Sequence, residues 1–152
     1  MFVLLALLIG VVAGLRAFTA PAAISWAAHL GWLHLDGSWL AFLGYRFTPW
    51  VFSALALFEL VGDQLPTTPS RKTPPQFVTR LVMGGLSGAA IGISGGSLVV
   101  GLGAGIVGAV IGTLGGAALR ARLAAMLGSD RPAALIEDVI AVGGAVLIVL
   151  AL

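Results

Sequence analysis

The chain reads as an all-α, polytopic transmembrane helical bundle. Of its 152 residues, 59% are hydrophobic and only 9% are charged, and its apolar runs recur at lengths that match a bilayer. An ordinary globular chain is about half apolar and a quarter charged, so this composition belongs in lipid. At about 20 residues per crossing, five or six spans with short connections use the whole length. One integral membrane domain over residues 1–152 is therefore expected.

The formal charge of +2 comes from eight basic and six acidic residues spread over several segments. They form no single basic surface, so nucleic acid is not an expected partner. The basic residues are better explained as topology determinants, since Lys and Arg gather on the cytoplasmic side of spans. Because Cys is absent, disulfides, thiolate nucleophiles and Cys metal sites are excluded. No Ser, His and acid set stands at a recognisable spacing, so neither enzymatic activity nor a cofactor is expected.

The first segment, MFVLLALLIGVVAGLRAFTAPAA, carries its Arg after the apolar run and has no basic stretch before it. A first transmembrane helix beginning at Phe2 is expected in place of a cleaved signal. Gly10 and Gly14 form a small-xxx-small face for a neighbouring helix. Arg16 falls about 21 Å from Phe2, within a hydrocarbon layer about 30 Å thick. Pro21 adds a second interruption by removing a backbone donor. Arg16 either ends a short tilted helix or pairs with an acid from another helix at a broken segment, a construction that transporters use beside their sites.

Between positions 29 and 50 the pattern changes to Trp32, Trp39, Tyr45 and Trp50 among Gly and isolated charges. Aromatic residues of this kind concentrate at headgroup level, so an interfacial or re-entrant segment is expected. His29 and His34 lack a third ligand at useful spacing, and no metal site is expected.

Pro49 opens the next helix, which contains the stretch FELVGDQLP at 58–66. Glu59 and Asp63 stand at i and i+4 and so share one helical face. Glu59 lies about 15 Å from Pro49, close to the bilayer midplane, with Asp63 about 6 Å further on. Pro66 should end this helix, and the following loop, with Arg71 and Lys72, should be exposed.

No charge occurs between Arg80 and Arg120. Residues 81–119 as one helix would run about 58 Å, so they must cross twice, with SGGS at 94–97 as the turn. Gly84, Gly88, Gly92 and Gly96 recur every four residues before it, and Gly108, Gly112 and Gly116 after it, stripes that let helix backbones approach closely. The last span, 132–152, carries Glu137 and Asp138 in its first turns, either as an exposed dipole cap or inside the bundle facing Glu59.

The expected spans are 2–28 (broken), 49–66, 78–94, 97–119 and 132–152. The segments AGLRA at 13–17 and AALRA at 117–121 match, and an odd number of crossings between them would make an inverted repeat. The positive-inside rule makes loops 66–80 and 120–132 cytoplasmic, in a cell inner (plasma) membrane, with the N-terminus inside and the C-terminus outside. A sixth span from residues 17–35 fits the basic loops equally well and moves the N-terminus outside.

GLRAF at 14–18, the E-x-x-x-D-x-x-P pattern of Glu59, Asp63 and Pro66, Arg80 with Gly84 a turn later, and the acidic pair Glu137 and Asp138 form a recognisable set. On these residues the chain resembles the domain of unknown function 4126 family, small integral membrane proteins mainly of bacteria. Family members often carry further acids after the Pro, where this chain reads TTPSRKTPP. The resemblance implies a membrane protein and supports the choice of residues, without naming an activity.

Charges inside spans are functional-site candidates by default. The expected site comprises Glu59, Asp63, Glu137 and Asp138, balanced by Arg16 and Arg80. It would bind a proton, a cation or a small polar solute in a small transporter or channel-like protein, expected to be a homo-oligomer in the lipid bilayer. The competing expectation is a structural or assembly protein, in which the same charges fix helix packing and the Gly stripes bind itself or a partner.

Overall fold

The computed structural model describes residues 1–65 and 70–152. The expected stop at Pro66 and loop positions 67–69 lie outside the described residues. Among the described residues there are six α-helices, α1 (Phe2–Leu15), α2 (Thr19–His29), α3 (Thr48–Gly62), α4 (Pro74–Ser94), α5 (Leu98–Leu127) and α6 (Asp130–Leu150), with a short 3-10 helix at Trp39–Gly44. No strand occurs among the described residues. Three helices, α4, α5 and α6, are long and apolar enough to cross a membrane. The apolar helices α1 and α3 are shorter, at about 21 and 22 Å.

Local chemistry sets the ends of these elements. Proline sits in the first turn of α3 and of α4, where a missing N–H costs nothing. Ser97 caps α5 by accepting from the Val100 N–H at 3.4 Å. The expected turn before it is present, and Gly96 supplies its positive φ of 88°. The expected cytoplasmic loop at 120–132 is not a loop. Its Ala, Leu and Arg residues are strong helix formers, so α5 continues to Leu127 and only residues 128 and 129 separate it from α6. Similarly, α4 already begins at Pro74, so much of the expected loop 66–80 is helical.

Glycine brings α1, α4 and α5 together. A Cβ on Gly84 would lie 2.7 Å from the Ala109 Cβ and 2.8 Å from the Gly105 carbonyl oxygen. One on Gly14 would lie 2.5 Å from both the Ala109 carbonyl oxygen and the Thr113 nitrogen. These stripes are therefore consumed inside the bundle, between backbones in contact. Gly103, Gly115 and Gly143 have open space where a Cβ would stand.

The same contacts give direction. Gly84 meets Gly105 and Gly92 meets Gly101, so α4 and α5 are antiparallel. Leu7 meets Gly108 and Gly14 meets Gly112, so α1 and α5 run parallel. AGLRA and AALRA accordingly point the same way, not in the inverted sense expected of them. Val12 lies beside Gly144 and Arg16 beside Asp138, which makes α6 antiparallel to α1. The start of α1 and the end of α6 then share one end of the bundle, and the expected placement of the two termini on opposite sides does not hold.

The reason is a hairpin between α1 and α4. Phe18, just before α2, meets Glu59 near the end of α3. Trp26, near the end of α2, bonds Ser53 at 3.0 Å and stacks edge-on with Trp50 near the start of α3. Thus α2 leaves the Arg16 end of the bundle and α3 returns to it.

Gly84→Ala is expected to lower stability by about 1–3 kcal/mol, because the new methyl meets a backbone and a Cβ that have no rotamer to yield. Gly103→Ala is the matched control and should leave the melting temperature in detergent unchanged or slightly raised. Equal melting temperatures for the two variants would contradict the packing described.

Candidate functional site

The site begins where α1 stops. Arg16 adopts extended backbone geometry, with φ −140° and ψ 111°, and separates α1 from α2. Pro21 lies in the first turn of α2, where no helical donor is required. An interruption of this kind frees carbonyls at the end of one helix and N–H groups at the start of the next. Side chains from three other helices meet them.

Glu59 of α3 accepts from the Ala17 N–H at 2.8 Å and the Phe18 N–H at 2.9 Å, one through each carboxylate oxygen. Arg80 of α4 donates from Nη1 to the Gly14 and Leu15 carbonyls, both at 2.8 Å. Its Nη2 lies 3.5 Å from Glu59 Oε1. Thr113 of α5 adds a weaker bond, 3.4 Å, to the Gly14 carbonyl.

Arg16 itself is fully buried, at 0% exposure. Its Nη1 pairs with Asp63 of the α3 C-terminus, and its Nε donates to Asp138 Oδ1 of α6 at 2.6 Å. The other Asp138 oxygen accepts from Gln64 at 3.2 Å. Beside it, Glu137 is 3% exposed and is gripped by both guanidinium nitrogens of Arg71, the Nη2 to Oε2 bond measuring 2.8 Å. Arg120 of α5 bonds Asp130 at 2.7 Å and stands 3.5 Å from both Asp63 and Glu137.

Four guanidinium groups, of Arg16, Arg71, Arg80 and Arg120, therefore meet four carboxylates, of Glu59, Asp63, Glu137 and Asp138. Their formal charges cancel. Asp130 adds one carboxylate at the exposed rim. The Asp63, Asp138 and Arg120 side chains keep 13%, 15% and 16% of their surface, and Glu59 keeps 11%.

All six residues expected from the sequence come together. Arg16 pairs with acids of other helices at a broken segment, and Glu137 lies inside the bundle, although its partner is Arg71 and not a group facing Glu59. Arg71 itself is a correction. It was expected in an exposed loop as a topology determinant, yet it is buried because its guanidinium reaches Glu137, while Lys72 next to it remains exposed. Arg120 and Gln64 were also missed. The match of AALRA to AGLRA was the signal for Arg120, since both arginines reach Asp63. His29 instead turns Nδ1 to the Gly44 carbonyl at 3.2 Å.

No family model, no curated protein and no solved structure matches the chain.

Arg16→Met leaves Asp63 and Asp138 without their main counter-charge. Removing one partner of a buried pair costs about 3–5 kcal/mol. A fall of that size in chemical denaturation is expected, whereas Lys72→Met should leave the denaturation midpoint unchanged. An Arg16→Met protein as stable as wild type would show that these pairs carry no stability.

Proposed function

We propose that the chain is a small multi-pass membrane transporter whose charge network is the site of a small polar solute. The observation that carries this reading is the convergence of charged side chains from α3, α4 and α6 on an interrupted α1–α2 segment, with Arg120 of α5 beside them at Asp63. Transporter sites are often built on discontinuous helices, whose freed backbone groups face charged ligands. The partly exposed edge at Asp63, Gln64 and Asp138 would be its mouth. Because arginine remains charged at all accessible pH, each of the four inner carboxylates already faces a guanidinium, and none is left free for a bare cation. A solute with its own polar or charged groups, exchanging with existing pairs, fits it better.

In the topology we propose, the Arg16 end of the bundle faces the cytoplasm, where Lys72, Arg122 and Arg131 lie exposed. The start of α1 and the end of α6 lie outside. This follows the six-segment reading, with α2 and α3 as short partial crossings, and the membrane would be the bacterial inner membrane. Of the residues that suggest the domain of unknown function 4126 family, Arg16, Glu59, Asp63, Arg80, Glu137 and Asp138 are network residues, and membership of that family is part of the proposal.

Thermal stability across a panel of cations and small polar solutes tests the reading. A true ligand raises the melting temperature with concentration, by an amount equivalent to about 2.7 kcal/mol at one hundred times its dissociation constant. Glu59→Gln should change the concentration at which that response appears, because Glu59 lies in the site, and the solute should exchange across proteoliposomes that contain wild type. A panel without any response would count against transport.

A structural reading is favoured by the charge balance itself. If the network only fixes helix register, exchanging the partners as Arg16→Asp with Asp63→Arg should restore the assembly that either single change loses. A transport pathway would stay inactive in the refolded double variant.

A further inference from the structure

The geometry points to a carboxylate-binding site at the break between α1 and α2, held in this conformation by the chain's own Glu59 and open to a small monocarboxylate when α3 withdraws. The inference rests on the solute-site reading above and names the class of solute. Its framework comes from two successive N–H groups, of Ala17 and of the N-cap residue Phe18, immediately before the 11-residue helix α2. Such groups, with the helix dipole behind them, favour an anion.

A helix start alone would carry nothing. The second observation is Arg80, a side chain only 2% exposed whose guanidinium reaches the same carboxylate. Its Nη1 is committed to two carbonyls, its buried Nε has no hydrogen-bond partner, and its Nη2 stands 3.5 Å from Glu59. Nη2 therefore has donor capacity left for a carboxylate placed there. These groups belong to the break before α2 and to α4, and the anion they hold belongs to α3.

That anion is attached to the helix with the least hold on the bundle. α3 packs chiefly against α2 and the 3-10 helix. Its outer face, with Leu57, Phe58 and Val61, is exposed, Phe58 at 78%. Glu59 and Asp63 add polar ties to the rest. A carboxylate supplied from solution and bound by the same donors would release Glu59, and with it one tie of α3. Ligand binding and α3 movement would then be one equilibrium, since a ligand shifts a conformation by its differential affinity for the two states.

Glu59→Ala tests this, because the deletion removes the equivalent of one acetate while leaving the donors in place. In purified Glu59→Ala protein, acetate should raise the melting temperature by about 3–5 °C at ten times its dissociation constant. Acetamide, equal in size and uncharged, and sodium chloride at matched ionic strength should not. Arg80→Gln in the same background should raise the acetate concentration needed at least tenfold. Should Glu59→Ala be recovered only as aggregate, the comparison is read as the monodisperse fraction after solubilisation in acetate against acetamide, and recovery in acetate alone supports the site. Equal effects of acetate and acetamide, no effect of either, or a response indifferent to Arg80→Gln would overturn it. Acetate rescue in a protein that moves no solute across proteoliposomes would sustain the site and remove transport, and transport of another solute without acetate rescue would do the reverse.

Discussion

A helix that stops inside a bundle leaves backbone donors and acceptors where water is scarce, and unpaired groups there cost several kcal/mol each in lipid. The interruption at Arg16 imposes that condition on this chain. Much of the surrounding chemistry answers it. Glu59 takes up N–H groups, Arg80 takes up carbonyls, and Arg16, drawn inside by the break it makes, requires Asp63 and Asp138. Three further helices, α3, α4 and α6, are thereby tied to one short stretch of backbone.

Arginine suits this duty better than lysine would. Its planar guanidinium offers five donors and holds its charge, so Arg80 can serve two carbonyls and approach a carboxylate at once. It can do so only if α4 lies against the end of α1. The glycine stripes make that possible, because α5 backs onto both helices with no Cβ between the closest backbones. Packing and electrostatics are therefore one design, in which small residues set the distance and charged residues use it.

The sequence was legible where chemistry is local or expensive. Intramembrane charges are costly, so Arg16, Glu59, Asp63, Arg80, Glu137 and Asp138 stood out against their apolar neighbours, and all six converge. Pro49, SGGS and the glycine periods likewise announced a helix start, a turn and close packing. Arg71 and Arg120 were harder to read. Each lies in a polar setting where a basic residue needs no special explanation, and only the fold shows that its long side chain reaches inward. Direction was the least legible property. Nothing in AGLRA and AALRA says whether they run alike or opposed, because that depends on how residues 19–62 double back.

The pairing of Arg16 also sets an order of events during synthesis. α1 leaves the ribosome first, Asp63 follows 47 residues later and Asp138 122 residues later. Arg71 waits a further 66 residues for Glu137. Until α6 is made, the growing chain holds unmatched guanidinium groups, which bilayers tolerate poorly. A chain that has not yet reached α6 thus differs from one that has in its buried charge as well as its length, and the pairing of Arg71 with Glu137 marks the arrival of α6 in the bundle.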